Sequence, residues 1–266
     1  MKISVIIPTY KPKEYIWKCL DSLRNQSFPK TDYEILIVLN GCNEPYTSNI
    51  RKYLHDNFAN FHALLFQIDQ PGVSNARNFA LEKSKGEYIV FVDDDDYVSS
   101  NFLTNLWAKA NDNCIVVSNF KSFIDGCDNI FIPDYASFSI STTQKKDVFR
   151  RRSFLSSSCG KLINKGIIRD IKFDISLKNS EDALFMFSIS DKIRYIEFAD
   201  INTFYYRRVR TDSASKKKVT LITKVRDILL LVIKFTLIYV KNPFKYNTLL
   251  YISRICAAIY YHLFLR

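Results

Sequence analysis

A short apolar segment that ends in four consecutive aspartates constrains the fold of this chain more than any other feature. Tyr88–Val92 is β-branched and aromatic, and Asp93, Asp94, Asp95 and Asp96 follow it directly. This pattern predicts a buried strand that delivers carboxylates to its carboxyl end. Four adjacent like charges repel one another, so the run is either a solvated turn or a site where the acids share a divalent cation. Carboxylate oxygens favour Mg²⁺ or Mn²⁺.

Strand and helix patterns alternate along the first third of the chain. The patterns predict strands over Ile3–Ile7, Tyr33–Leu39, Ala63–Ile68 and Tyr88–Val92, and helices over Glu14–Asn25, over Ser48–Phe58, and from a Ser74 or Asn75 cap to near Gly86. This alternation predicts an α/β fold with a parallel sheet and right-handed crossovers. Ligands bind such sheets where the strands end, so the loops 8–12, 40–43 and 93–96 are expected to share one crevice.

Several classes of protein lose support from absent motifs. No GxGxxG follows the first strand and no GxxxxGK[ST] occurs, so dinucleotide-binding and P-loop folds are disfavoured. The six cysteines are scattered without CxxC pairs, which indicates reduced thiols and not a zinc site. The amino terminus enters a strand pattern without a long apolar leader, so a cytoplasmic protein is expected.

The excess positive charge is confined to the end of the chain. The net charge is +11, and residues 207–266 contain 13 Lys or Arg against two acids, so the first 206 residues are neutral overall. The longest apolar stretch there, Ile228–Val240, has only 13 residues and includes Lys234, whereas a membrane-spanning helix needs about 20. Amphipathic helices lying on an anionic membrane fit this pattern, and helices that pack on the domain or on a second subunit are the alternative.

Three segments together resemble a known family. ISVIIPTYKP, ILIVLNGC and GVSNARNFALEKSKGEYIVFVDDDDYV, in this order, are similar to the nucleotide-sugar-binding half of the family 2 glycosyltransferases. The resemblance implies a GT-A-like α/β fold with a mixed, mainly parallel sheet flanked by helices. It also implies a donor half over 1–110, an acceptor and catalytic half over 111–215, and a basic helical tail over 216–266.

The resemblance also implies roles for individual residues. It assigns to the donor nucleotide the residues Pro8, Thr9, Tyr10, Asn40, Arg77, Asp93, Asp94 and Arg208. In this set Tyr10 would stack on uracil, Asn40 would bind the base edge and Arg77 would support the nucleotide site. Asp93 and Asp95 would form a DxD pair that holds Mn²⁺ or Mg²⁺ against the diphosphate, with Asp95 as the direct ligand. Asp94 and Asp96 would face ribose or water.

One departure from the family concerns the base. Relatives usually carry an acidic pair where this chain has Leu39 and Asn40. An amide can both donate to and accept from uracil, so UDP is the expected nucleotide, with dTDP or another nucleotide open. A turn residue before Gly41 is the alternative role for Asn40.

The acceptor half carries the expected base. Cys159–Phe187 resembles the family segment with Glu-Asp before an apolar helix, which implies that Asp182 takes the acceptor proton, with Glu181 as second choice. Stabilisation of a helix start is the alternative for both acids. Lys161 would position a phosphate or the base, or is simply a solvated lysine. Arg208, preferred to Arg207, stands five residues before Ser213 in a segment that resembles the family's loop over the donor.

Together these patterns predict a membrane-peripheral, inverting glycosyltransferase on the cytoplasmic face. It would move one sugar from a UDP-sugar to a hydroxyl of a lipid-linked glycan in cell-surface polysaccharide synthesis, without a nucleic-acid partner. Homo-oligomerisation is left open. A sugar nucleotidyltransferase is the alternative enzyme, although PTYKPKEY lacks the glycine-rich loop of that class. A nucleic-acid-binding protein that uses the basic tail is the alternative from another class.

Overall fold

The computed structural model describes residues 1–132, 134, 137–138, 147–210 and 220–265. The strands are β1 (Ile3–Thr9), β2 (Tyr33–Asn40), β3 (His62–Ile68), β4 (Tyr88–Phe91), β5 (Tyr97–Val98), β6 (Cys114–Val117), β7 (Asn119–Ile124), β8 (Cys127–Ile132), β9 (Lys161–Asn164), β10 (Tyr195–Phe198) and β11 (Phe204–Val209). The helices are α1 (Tyr15–Arg24), α2 (Tyr46–Asn57), α3 (Val73–Lys83), α4 (Phe102–Trp107), α5 (Lys165–Ile168), α6 (Glu181–Ser188), α7 (Leu221–Lys241) and α8 (Thr248–Tyr260).

A seven-stranded sheet forms the centre of the fold. Its strand order is β10-β6-β9-β4-β1-β2-β3, and β9 runs antiparallel to both of its neighbours while the other pairs are parallel. A second sheet has the order β5-β11-β7-β8. The predicted α/β fold with a mixed, mainly parallel sheet is therefore confirmed. Strands from both predicted halves, 1–110 and 111–215, take part in the larger sheet.

Two predicted boundaries are corrected by the structure. β1 continues through Pro8 to Thr9 in register with β2, with Pro8 opposite Val38, whereas its pairing with β4 ends at Ile6. Pro8 lacks an N–H group and therefore lies beyond the part of β1 that is paired on both sides. The predicted Ser74 or Asn75 cap is wrong: α3 begins after Gly72, which has φ of +122°. The Ser74 hydroxyl instead donates to the Asp174 carbonyl and the Asn75 amide to the Pro71 carbonyl.

Both predicted C-terminal helices form. Phe235 of α7 packs edge-on against Phe187 of α6, and Lys234 pairs with Asp174 at 2.5 Å. The outer side of α7 leaves apolar side chains exposed: Leu229, Ile233, Leu237 and Val240 are each more than half exposed. Across the part of the chain that is described, we find no helix with both the length and the apolar character needed to cross a bilayer.

A buried polar network fixes the start of β4 against β1. Glu34 of β2 accepts hydrogen bonds from the Ser4 hydroxyl and the Lys85 amide, both at 2.6 Å, and the Gly86 amide donates to the Ser4 hydroxyl at 2.8 Å. A Cβ atom at Gly86 would overlap the Ser4 amide nitrogen and lie 2.6 Å from the Ile3 carbonyl carbon. Only glycine therefore allows the backbone entering β4 to approach β1 this closely.

Replacing Gly86 by alanine is expected to lower the free energy of unfolding by about 2–3 kcal/mol, because two backbone segments would have to separate. Gly126→Ala is the control: its Cβ would meet nothing within 4 Å, and its φ of +79° leaves only a backbone penalty of about 1 kcal/mol. Urea denaturation of both variants measures the difference. An unchanged midpoint for Gly86→Ala would contradict the close approach.

Candidate active site

The loops that follow β1, β2 and β4 meet at the carboxyl edge of the larger sheet, as predicted. The Thr9 hydroxyl donates a short hydrogen bond to the Asp94 carboxylate, and the Asn40 amide donates to the Thr9 carbonyl at 2.7 Å. Gly72, which precedes α3, donates its amide to the Asn40 side-chain oxygen at 2.8 Å. The last residues of β1 and β2 are thus hydrogen-bonded to the loops that contain Asp94 and Gly72, at one edge of the sheet.

Asn40 and Tyr10 have different surroundings at this edge. Asn40 is only 3% exposed, and its amide nitrogen and amide oxygen each form a hydrogen bond with a backbone group. These bonds match the turn role that the sequence analysis gave as the alternative to base binding. Tyr10 is 51% exposed. Its ring is therefore accessible for stacking on a planar ligand.

Alternate aspartates of the acidic loop have different partners. Asp93 pairs with Arg77 and Asp95 with Arg210, each at 2.9 Å. Asp96 points inward, is 4% exposed, and accepts the Arg208 amide at 2.7 Å.

Burial, together with the charge of neighbouring carboxylates, raises the pKa values of Asp94, Asp95 and Asp96. Burial, followed by the charge of Asp95, raises the pKa of Asp94 to about 7, and burial with the charge of Asp93 raises the pKa of Asp95 to about 6. Burial raises the pKa of Asp96 well above its ordinary value as well. These three carboxyl groups are therefore protonated more readily here than they would be in water.

This donor set fits a hard divalent cation. Mg²⁺ and Mn²⁺ are commonly held by one or two carboxylates, with phosphate oxygens and water completing the coordination. Within the described residues no group of three or more acidic, His or Cys side chains is arranged around a metal position. A cation held by Asp95 and Asp93 would therefore need further oxygen ligands from a bound diphosphate.

The guanidinium of Arg77 joins the acidic loop to the second pair of predicted acids. Its side chain is 3% exposed and contacts Asp93 at 2.9 Å, Asp182 at 2.6 Å and Glu181 at 3.7 Å. The Ser158 hydroxyl donates to the same Asp182 oxygen at 2.9 Å. Arg77 therefore brings together acids that lie 89 positions apart in the sequence (93 and 182).

Glu181 and Asp182 occupy the first turn of α6, as predicted. Burial, followed by the charge of Asp182, raises the pKa of Glu181 to about 7. The Glu181 side chain is 14% exposed and that of Asp182 is 19% exposed, so neither acid is a fully solvated cap.

Lys161 is buried, so the prediction of a solvated lysine is wrong. It is 1% exposed, and its ammonium donates to the Cys159 carbonyl at 2.9 Å. Burial lowers its pKa to about 8. The charge of Asp182 offsets part of this lowering of the Lys161 pKa.

The two arginines of β11 have different partners, and it is Arg208 that contacts the acidic loop. Arg208 contacts Asp125 at 2.7 Å and the Asp95 carbonyl at 2.9 Å, whereas Arg207 pairs with Asp134 at 3.0 Å.

Ser213, the end of the predicted donor loop, lies outside the described residues, as does most of the polar run 137–146. The sequence analysis did not identify Ser158 or Arg210 as site residues. Arg210 could have been identified from its position two residues after Arg208.

The fold of this chain is the GT-A fold of solved glycosyltransferases. It superposes on the crystal structure of Staphylococcus aureus TarS 1-349 in complex with UDP-GlcNAc with a TM-score of 0.76 at 23% identity, covering 100% of this chain and 73% of that chain. It also superposes on the mannosyltransferase PcManGT from Pyrobaculum calidifontis in complex with GDP-Man and Mn²⁺, with a TM-score of 0.65 at 17% identity, covering 99% and 70% of the two chains.

The family is established by sequence. The model for Glycosyl transferase family 2 matches residues 4–172, so the chain belongs to this family, as the resemblance predicted. It is 29% identical over 212 residues to the S. aureus poly(ribitol-phosphate) β-N-acetylglucosaminyltransferase TarS, covering 79% of this chain and 36% of TarS. It is 30% identical over 210 residues to the poly(ribitol-phosphate) β-glucosyltransferase of Bacillus spizizenii, covering 77% and 32%. The chain therefore spans about a third of the length of these relatives.

The raised pKa of Glu181 predicts a dependence of stability on pH. A carboxyl whose pKa rises on folding favours the native state below its ordinary pKa, and this contribution is lost as the pH rises through about 7. Glu181→Gln cannot ionise, so the variant lacks this loss of stability. The difference in free energy of unfolding between the variant and the wild type should therefore be about 1–2 kcal/mol more in favour of the variant at pH 8 than at pH 5. Urea denaturation at both pH values measures this gain. Glu87→Gln, at an exposed position, is the control and should show no such pH-dependent gain. The absence of a gain in Glu181→Gln would contradict the burial of the carboxyl group at position 181.

Proposed function

We propose that the chain is the catalytic part of an inverting glycosyltransferase that moves a single sugar from a UDP-sugar to a hydroxyl of a cell-surface polymer. The observation that carries the proposal is the buried contact of Arg77 with both Asp93 and Asp182. Arg77 thereby holds Asp93, the proposed donor-side acid, and Asp182, the proposed acceptor-side base, in fixed positions. An inverting transfer needs the leaving diphosphate and the catalytic base on opposite sides of the reacting carbon.

The relatives support the choice of donor and acceptor class. The solved TarS neighbour holds UDP-GlcNAc, and two similar enzymes are named for glycosyl transfer to poly(ribitol-phosphate). We therefore assign this chain a UDP-hexose or UDP-N-acetylhexosamine as donor. Its acceptor would be a polyol-phosphate polymer or a related lipid-linked glycan. The family match to glycosyltransferases favours this function over nucleotidyl transfer.

Each site residue has a part in the proposed reaction. Tyr10 stacks on the base, and Asp182 accepts the proton of the attacking hydroxyl. Arg77 and Ser158 hold Asp182 in position through hydrogen bonds to one of its oxygens. Asp95 and Asp93 would hold Mn²⁺ or Mg²⁺, which would neutralise charge on the leaving diphosphate.

Substitution of the two carboxylates should separate their roles. Asp182→Asn is expected to lower the transfer rate about 10³-fold while leaving Mn²⁺-dependent UDP binding intact, because general base catalysis typically contributes 10²–10⁴-fold. Asp95→Ala should abolish transfer and also weaken metal-dependent UDP binding. Transfer assays and calorimetry with UDP and Mn²⁺ measure both quantities.

The exposed Asp56→Asn is the matched control and should retain wild-type transfer. Glu181→Gln should retain transfer within about tenfold, since Glu181 is assigned no proton transfer. Full turnover by Asp182→Asn would remove the base assignment, and loss of transfer in Glu181→Gln alone would move it to Glu181.

We further propose that the tail helices lie on the cytoplasmic face of an anionic membrane. Leu229, Ile233, Leu237 and Val240 form an exposed apolar stripe along α7, and Phe244 beyond it is fully exposed. The basic excess of residues 207–266 matches anionic headgroups, which favours a bilayer over an uncharged partner surface.

Ile233→Ser combined with Leu237→Ser should lower the fraction of protein that floats with phosphatidylglycerol vesicles, because each change removes apolar area from the stripe. Transfer to a soluble acceptor should be unchanged. The control variant is Leu64→Ser, which replaces an exposed apolar side chain on β3, outside the stripe. Unaltered flotation, together with a shift from dimer to monomer in sedimentation, would instead assign the stripe to self-association.

A further inference from the structure

A second pocket, outside the candidate active site, lies between the segment 150–156 and α8. Its volume is about 310 Å³, and the residues that line it are Arg150, Arg152, Ser153, Ser156, Ser253, Arg254 and Ala257. This volume is at the lower end of the range for small-ligand sites. Of the lining residues that the structure describes, three are arginines and none is acidic.

The chemistry of the lining suits a phosphate group. Guanidinium groups present paired N–H donors that match the oxygens of a phosphate, and serine hydroxyls add further donors. Arg254 is 5% exposed and is held in place by its hydrogen bonds to the Ser156 hydroxyl, at 3.1 Å, and the Arg152 carbonyl. The pocket therefore contains a buried, hydrogen-bonded cation, Arg254, in addition to the exposed Arg150 and Arg152.

The pocket is connected to the acceptor side of the active site. Ser156 lines the pocket, and Ser158, two residues further on, donates to Asp182 at 2.9 Å. Two residues of extended chain span at most about 7 Å. A phosphate that contacts Ser156 would thus lie on the order of 15 Å or less from Asp182, within reach of a polymer whose hydroxyl is bound at that acid.

We propose that this pocket binds a phosphodiester of the acceptor polymer and thereby positions the neighbouring polyol hydroxyl for transfer. This inference rests on the proposed function, because it names a part of the acceptor for the same site. It identifies Arg150, Arg152 and Arg254 as acceptor-binding residues. The polymer is favoured over a lipid headgroup because of the connection to Asp182.

The test uses the full chain with Arg150→Gln and Arg152→Gln together, since both residues are exposed and their replacement leaves buried Arg254 in place. With poly(ribitol phosphate) as acceptor, KM for the acceptor should rise about tenfold while kcat and UDP binding stay unchanged. Arg51→Gln with Lys52→Gln, exposed on α2, removes the same charge and should leave KM unchanged.

Three outcomes would overturn the proposal while leaving the proposed function intact. They are an unchanged acceptor KM in the double variant, an equal rise in the α2 control, and a loss of binding to phosphatidylglycerol vesicles with an unchanged acceptor KM. The last result would assign the pocket to lipid headgroups. Failure of the wild type to bind UDP or transfer any sugar would instead refute the proposed function itself.

Discussion

The buried guanidinium of Arg77 is the interaction on which the candidate site depends. A cation that is 3% exposed is stable only when acids surround it, and Asp93, Glu181 and Asp182 meet that need. The acids in turn tolerate their own crowding because the cation lies among them. Removing either partner would leave an unpaired buried charge, so the donor and acceptor sides of the site are coupled by electrostatics.

The topology of the larger sheet makes that coupling possible. β9 inserts antiparallel between β4 and β6, and a bridge from Phe91 to Cys159 places the segment before β9 beside the acidic loop. Ser158 and Lys161 reach the site along the same segment. A segment that is distant in sequence thus forms one wall of a site whose other wall is the end of β4.

The second sheet stabilises the acidic loop from the other side. Arg208 and Arg210, at and just beyond the end of β11, contact Asp95, and the Tyr205 hydroxyl accepts the Asp93 amide hydrogen at 3.1 Å. These contacts offset part of the repulsion among the four aspartates. The pKa values of Asp94 and Asp95 nevertheless remain raised, to about 7 and about 6, chiefly because both side chains are buried.

The sequence by itself determined the α/β fold, the family and the edge of the sheet at which the acids lie, because apolar periodicity and the order of strands and helices are local properties of the chain. It also placed Glu181 and Asp182 at a helix start. Only the tertiary structure decided that Arg77 reaches Asp182, that Lys161 is buried and that Arg254 helps to line a basic pocket. Those facts depend on which distant segments become neighbours, and strand order and burial are set by the packing of the whole chain and not by any local pattern.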